Sequence, residues 1–303
     1  MRRGRAVQAL GAAAALLVAL PVLPAGAQSA DDTDADAAAV VFFDDFTGPG
    51  IDRSNWTVEV TGTNFGTVNN EQQAYIDSPD VLYTVQDVEG ATGALAVHPR
   101  YRPGTVAPDG RTYDFVSGRI KTQDRHDWTY GNVAVRLRLP QGSQAAGLWP
   151  AAWMLGSSIG HGTPWPASGE IDIMESVGEP FTNVSLHGPG YSGDTPLHAR
   201  QYFDGLDPWD WHVYSVDWSP QGFTFFIDDR QIYTVSRAEV ERYGPWVYDD
   251  PQFLLLNFAL GGDYPHGVNG VSVPYHGIPQ STVDVVAAEE ARYLVDWVKV
   301  EQN

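Results

Sequence analysis

The chain of 303 residues is long enough for one large domain with a sizeable core, and it has no cysteine, which excludes disulfide support and a thiol nucleophile. Its formal charge of −20, from 38 acidic against 18 basic residues, has the wrong sign for a nucleic-acid or anionic-membrane binder. A neutral partner suits it better. At the amino terminus Arg2, Arg3 and Arg5 precede an apolar run that ends in Ala25-Gly26-Ala27, the small-x-small form of a secretory cleavage site. Residues 1–27 are therefore expected to be a signal peptide, removed on export by the general secretory or the twin-arginine route, which leaves a secreted, extracellular protein. Pro21 and Pro24 interrupt the run and argue against a membrane anchor. Residues 28–39 follow as an acidic linker in which Asp31, Asp32, Asp34 and Asp36 alternate with small residues.

From Val40 short apolar runs are cut by Gly, Pro, Asn and Asp, the texture of an all-β sandwich, and we expect a single monomeric domain over 40–303. In Asn69-Asn70-Glu71-Gln72, Asn70 offers a donor and an acceptor to a sugar hydroxyl, although turn chemistry explains the pair equally well. Arg119 can hydrogen-bond to hydroxyls or steady a carboxylate; its plainer reading is a surface ion pair. Val133 to Leu139 is apolar at every odd position, which predicts a half-buried strand. On the expected strand Leu148 to Leu155, Trp149 and Trp153 share a face, and such a pair is more often core than cleft. Trp165, between prolines in a loop, has fewer core partners and is the better cleft candidate.

Next comes Gly169-Glu170-Ile171-Asp172-Ile173-Met174-Glu175-Ser176, three acids in a β-branched, apolar run. Alternation puts Glu170 and Asp172 on one face and Glu175 on the other; a β-bulge at Ile173-Met174 would bring Glu175 back to join them. Two carboxyls on one face are what glycoside hydrolysis needs. Four strand residues span roughly 13 Å, against about 5–5.5 Å for a retaining pair, so the two Glu arms have to lean together. The residues alone leave a solvated polar face as an equal alternative. His187 follows a short hairpin later, where an adjacent strand would set it beside the acids. No histidine spacing matches a catalytic zinc site. Phe223 to Ile227 reads as a strand entering a turn, Pro265 to Gly277 as a long loop, Val283 to Ala291 as a short helix, and Tyr293 to Val300 as a closing strand.

The spacing Glu-x-Asp-x-x-Glu in Gly169 to Glu175 resembles the signature of glycoside hydrolase family 16. The resemblance extends through Asn69 to Gln72, Ser117 to Ile120, Gly147 to Gly156, Leu256 to Gly262 and Val295 to Val298. The extra residue before Glu175 and the Asn-Asn-Glu block are similar to the laminarinase-like, endo-β-1,3-glucanase branch. This implies a concanavalin-like jelly roll with a concave substrate groove, acting by a retaining mechanism on β-1,3 or mixed β-1,3/1,4 glucan. Glu170 would be the nucleophile, Glu175 the acid and base, and Asp172 the residue that tunes both. The resemblance also implies substrate contacts from Asn70, Arg119, Trp149, Trp153, Trp165 and His187. A structural Ca2+ on the convex side would take Asp45, Gly93 and Asp296. The stretches Pro265 to Gly277 and Thr282 to Leu294 depart from the family pattern and leave the linkage open. A non-catalytic glycan-binding module, an enzyme acting on agarose or carrageenan, and a transglycosylase are the alternatives.

Overall fold

The computed structural model describes residues 38–140 and 145–303; the expected signal peptide and nearly all of the acidic linker lie outside the described residues. Alternation works as anticipated in the strand Gly131–Arg138, where Val133, Val135 and Leu137 are buried while Arg136 and Arg138 reach outward. Strands of this kind form two main sheets. One has the order Arg230–Ser236, Gly222–Ile227, His212–Ser219, Gly131–Arg138, Tyr293–Gln302, Ala91–Val97, Leu82–Val88, with Ala39–Asp44 also paired to Tyr293–Gln302. The other has the order Leu197–Tyr202, Phe181–His187, Glu170–Glu175, Leu148–Gly156, Gln252–Leu260, Arg119–Lys121, Thr57–Val58. A small third sheet joins Gln73–Tyr75, Thr112–Ser117 and Arg100–Val106.

The core lies between the two large sheets, and period-2 alternation decides which residues enter it. Along Gln252–Leu260, Leu254, Leu256, Phe258 and Leu260 join the main core with Val135, Val216, Phe225 and Val298. The intervening residues point to the outer face, where Phe253 and Leu255 pack with Leu155 and Trp153, and Ala259 packs with Trp149, Val177 and Phe181. Asn257 lies between these clusters in sequence. These outer-face residues, Asn257 included, are themselves buried, so the protein covers much of this side of the sheet.

Two elements differ from the sequence-based expectation. The helix sought over Val283 to Ala291 runs instead over Gln280–Ala287, because Thr282, Val283 and Val286 are the side chains it buries. Glu289 then takes a left-handed φ of 62° and its carboxylate meets Arg100 at 2.5 Å, so the Ala-Glu stretch that favoured helix turns away. Within the expected loop Pro265 to Gly277 a helix covers Asp263–Asn269, with Pro265 in its first turn, where a missing N–H costs nothing. Among the described residues no helix is long and apolar enough to cross a membrane.

Candidate active site

The acidic strand carries the bulge that its spacing requires. On one side Asp172 pairs with Trp153 and Met174 with Ala152; on the other Asp172 pairs with Ser185 and Glu175 with Asn183, so Ile173 and Met174 together oppose Val184. Both Ile173 and Met174 enter the main core. Burial of two consecutive apolar side chains is the force that holds the bulge, and its consequence is that Glu170, Asp172 and Glu175 share the outer face. The strand starts where backbones crowd: a Cβ on Gly156 would lie 1.8 Å from the Ser168 carbonyl oxygen, so only glycine fits beside the segment leading into Glu170.

Each outer acid is held by an indole. Trp165 donates its N–H to Glu170 Oε2 at 2.9 Å, and Trp149 donates to Glu175 Oε1 at 3.0 Å. His187, directly across from Glu170 on the neighbouring strand, places Nε2 3.1 Å from Asp172 Oδ2 and 3.7 Å from Glu170 Oε1. Tyr248 fixes that strand end by donating its hydroxyl to the His187 carbonyl at 2.9 Å. Burial, then the charge of Asp172, pushes Glu175 up to about 8; the same two causes push Glu170 up to about 8, with His187 opposing. Asp172, only 2% exposed, is raised well above the ordinary range by burial. The three carboxyls titrate as one buried cluster, in which the charge on one holds protons on its neighbours. Two glutamates on one face beside a third acid are the pair that glycoside hydrolysis needs, one nucleophile and one acid.

Trp153 and Trp149 lie on the acids' side of the sheet, although both are largely packed. The Trp153 N–H donates to Asn257 Oδ1 at 2.6 Å, Asn257 donates to Tyr75 Oη at 3.1 Å, and Tyr75 donates to Glu71 Oε2 at 3.2 Å. Arg119 steadies a carboxylate, one of the two roles expected of it, and only the plainer reading is corrected. It is no surface ion pair: it is 5% exposed, paired with buried Glu59, and stacked 4.8 Å from the Trp153 ring and 4.5 Å from the Phe65 ring. Lys121 adds a second cation to Glu59 at 2.6 Å. A buried carboxylate with two cations holds the guanidinium over the indole, so Arg119 steadies Trp153.

Asn70 is not joined to the acids by any contact of its own. Its amide donates to both oxygens of Asp263 at 2.9 Å, and it lines a hollow of 430 Å³ with Glu71, Arg111, Asp114 and Tyr275. Asp263 opens the helix that brings Tyr264 edge-on to Trp149, with ring centroids 5.4 Å apart, and the Tyr264 hydroxyl accepts from Asn183, the cross-strand neighbour of Glu175. Sequence reasoning missed Tyr264, Glu59 and Asn257 as site residues. Asn257 left a signal, as an amide inside the otherwise apolar run Phe253 to Leu260; Glu59 and Tyr264 left none, because their partners are remote in sequence.

Of the residues implied for calcium, Asp296 lies on the closing strand and Gly93 lies against the turn that follows Asp45. The strand Tyr293–Gln302 pairs with Leu95 at Val295 and with Asp44 at Val298, so Asp296 lies where one neighbouring strand replaces another. A Cβ on Gly93 would lie 2.9 Å from Thr47 Cα and 3.0 Å from the Phe46 carbonyl oxygen, which presses the turn after Asp45 against Gly93. Carboxylates and carbonyls at a break in the ladder are the hard oxygens calcium takes. Arg136 already answers Oδ2 of Asp296, and Asp45 Oδ1 caps Thr47, so of the carboxylate donors Oδ1 of Asp296 and Oδ2 of Asp45 are the ones a calcium ion would take.

A β-sandwich whose outer sheet face presents two indole-held glutamates around a buried aspartate defines the class: a glycoside hydrolase. Residues 58–265 match the family model described as Glycosyl hydrolases family 16. The chain belongs to that family, and the all-β jelly-roll expectation holds. It is 30% identical to a beta-glucanase of Rhodothermus marinus over 86% of this chain and 84% of that one. It is 32% identical to glucan endo-1,3-beta-glucosidase A1 of Niallia circulans over 75% of this chain, spanning only 34% of that protein's length. The solved endo-beta-1,3-glucanase of Pyrococcus furiosus superposes with a TM-score of 0.74 at 29% identity, covering 88% of this chain and 94% of that one.

Proposed function

We propose that the protein is a secreted, monomeric endo-β-glucanase that cuts internal β-1,3 links, and β-1,3 links in mixed β-1,3/1,4 glucan, with retention of configuration. The observation that carries this reading is the bulged strand, which sets Glu170 and Glu175 on one face with an indole N–H on each. Glu170 attacks the anomeric carbon while Glu175 gives its proton to the departing glycosidic oxygen. Glu175, now a carboxylate, takes a proton from the water that releases the glycosyl-enzyme. Asp172 and His187 set the charge of the nucleophile. Trp165, 42% exposed, offers its ring to the apolar face of a sugar, and Trp149, Trp153 and Tyr264 form the packed floor near Glu175. The related glucanases reported above support a neutral glucan as substrate.

Reducing-end release from laminarin, barley glucan, agarose and carrageenan tests the reading. Release from laminarin, and more weakly from barley glucan, is expected, with the β-anomer appearing first by proton NMR. Binding without release from any polysaccharide would make the chain a glycan-binding module, and products longer than the substrate would make it a transglycosylase.

Calcium is part of the proposal as a structural ion only. Held by Asp45, Gly93 and Asp296, it would tie the amino-terminal strand to the closing strand. A metal that binds only the folded state at a hundred times its Kd contributes about 2.7 kcal/mol, which for a chain of this size is about 5–10 °C in Tm. Chelation is therefore expected to lower Tm by that amount. An unchanged Tm on protein shown to be metal-free removes calcium from the account.

A further inference from the structure

Glu170, Asp172 and His187 place one ligand atom each within 4.8 Å of one another, and we propose that this cluster is also a three-ligand site for a divalent transition metal of the zinc class. The distances suit such an ion. Bonds of about 2.0–2.2 Å to nitrogen and oxygen at tetrahedral angles put neighbouring ligand atoms about 3.3–3.6 Å apart. Nε2 of His187 lies 3.1 Å from Asp172 Oδ2 and 3.7 Å from Glu170 Oε1, so small side-chain shifts bring all three onto one metal.

The remaining bonds of these groups leave the ligand atoms available. Trp165 takes Glu170 Oε2, which leaves Oε1 facing the histidine. Asp172 is 2% exposed and its Oδ2 has no hydrogen-bond partner, a buried acceptor aimed into the cluster. Nδ1 of His187 is also unpartnered, so the imidazole proton can reside there and free the Nε2 lone pair. The Trp165 ring, 5.9 Å from the imidazole, and the Tyr248 hydrogen bond to the His187 backbone restrain the histidine in that orientation. An imidazole with only two carboxylates is a poor cage for calcium, which takes six to eight oxygens, and a good one for zinc. Side-chain exposure of 12% at His187 and 16% at Glu170 leaves the cluster reachable from solvent.

A bound ion would occupy Glu170 Oε1, the oxygen available for attack, and would arrest the proposed reaction in competition with glucan; this consequence rests on the function proposed above, whereas metal binding does not. The test is calorimetric titration of the full chain with zinc chloride in excess Ca2+, which keeps the calcium-class site filled. One zinc per chain is expected, with apparent affinity falling when a β-1,3-linked oligosaccharide is added and laminarin hydrolysis declining in step with occupancy. Removing even an outer-shell partner of a metal weakens affinity about 10–100-fold, so loss of a direct ligand in His187→Gln is expected to raise Kd at least that much. Glu170→Gln gives the same answer should His187→Gln fail to fold. His276→Gln is expected to bind zinc like the parent. His266 and His276 stack at 4.1 Å beside Asp263, and loss of binding in His276→Gln rather than His187→Gln would assign the metal there and overturn the proposal. So would the absence of saturable zinc binding. A chain that binds zinc through His187 and cleaves no glucan would retain the metal site and remove only the proposed reaction.

Discussion

Replacing Glu175 by alanine is expected to lower kcat/KM on laminarin by about 10²–10⁴-fold, the usual worth of a positioned general acid. The loss should be conditional. With an activated aryl glucan oligoside the leaving group departs without a proton, so glycosylation should survive in Glu175→Ala and the glycosyl-enzyme should accumulate. Azide, which needs no general base, should then restore turnover and yield a β-glycosyl azide. In the parent, Glu175 must hold its proton, and burial with the charge of Asp172 pushes it up to about 8. The alkaline limb of kcat/KM is therefore expected near pH 8, and the variant assayed with the activated substrate should lose that limb. Parent-like activity of Glu175→Ala on polysaccharide would show that the bulge does not bring a catalytic group to the face it creates.

Glu170→Gln is expected to abolish turnover, by at least about 10⁴-fold, with no rescue by azide or leaving group, because no covalent intermediate can form. The same change should stabilise the fold, with a definite dependence on pH. Burial, then Asp172 and Glu175, raise the Glu170 carboxyl to about 8 from an ordinary 4.5, against the pull of His187 and the Trp165 hydrogen bond. A raised folded-state value means that folding favours the protonated form. Its contribution is fully present below about pH 4.5 and is lost as the pH rises through 8. Glutamine never ionises, so the variant should match the parent at pH 4 and exceed it progressively toward pH 9. A shift of this size corresponds to about 4–5 kcal/mol at 1.36 kcal/mol per unit, and water in the cleft reduces it to about 1–3 kcal/mol. For a domain of this size that is about 3–10 °C in Tm at pH 9. Equal Tm differences at pH 4 and pH 9 would show that the carboxyl is not held up in the native state.

The two variants expose a tension in the site. Three carboxyls are gathered where the fold would be more stable without charge, and the indoles of Trp149 and Trp165 and the imidazole of His187 offset only part of that cost. Strain of this kind at a reacting centre is the usual exchange of stability for chemistry.

How much of this was legible in the chain depends on the range of the interaction. The bulge was, since Glu-x-Asp-x-x-Glu among β-branched residues leaves one extra position, and Ile173 and Met174 are both apolar enough to be drawn inward. The position of His187 beside the acids was also legible, because a short hairpin fixes which residue can face Glu170. The helix Gln280–Ala287 was misplaced for the opposite reason: the alanines and glutamates after it have helical propensity, but burial of Val283 and Val286 and the pull of Arg100 on Glu289 outweigh it. Arg119 was legible as a residue able to steady a carboxylate, but not which one, because Glu59 becomes its neighbour only when Thr57–Val58 pairs with Arg119–Lys121. Tyr264 reaches the Glu175 side only through a helix anchored by Asn70, 193 residues away in sequence.

By itself, then, the sequence determined the alternation, the extra residue, and the three acids on one face, because each follows from the period of a strand and the hydrophobicity of its immediate neighbours. Only the tertiary structure decided which charges are buried, which indole holds which carboxyl, and where Arg119 and Tyr264 point. Those are properties of surfaces that meet when distant strands pack, and the dielectric around a carboxyl is set by residues that no local spacing records.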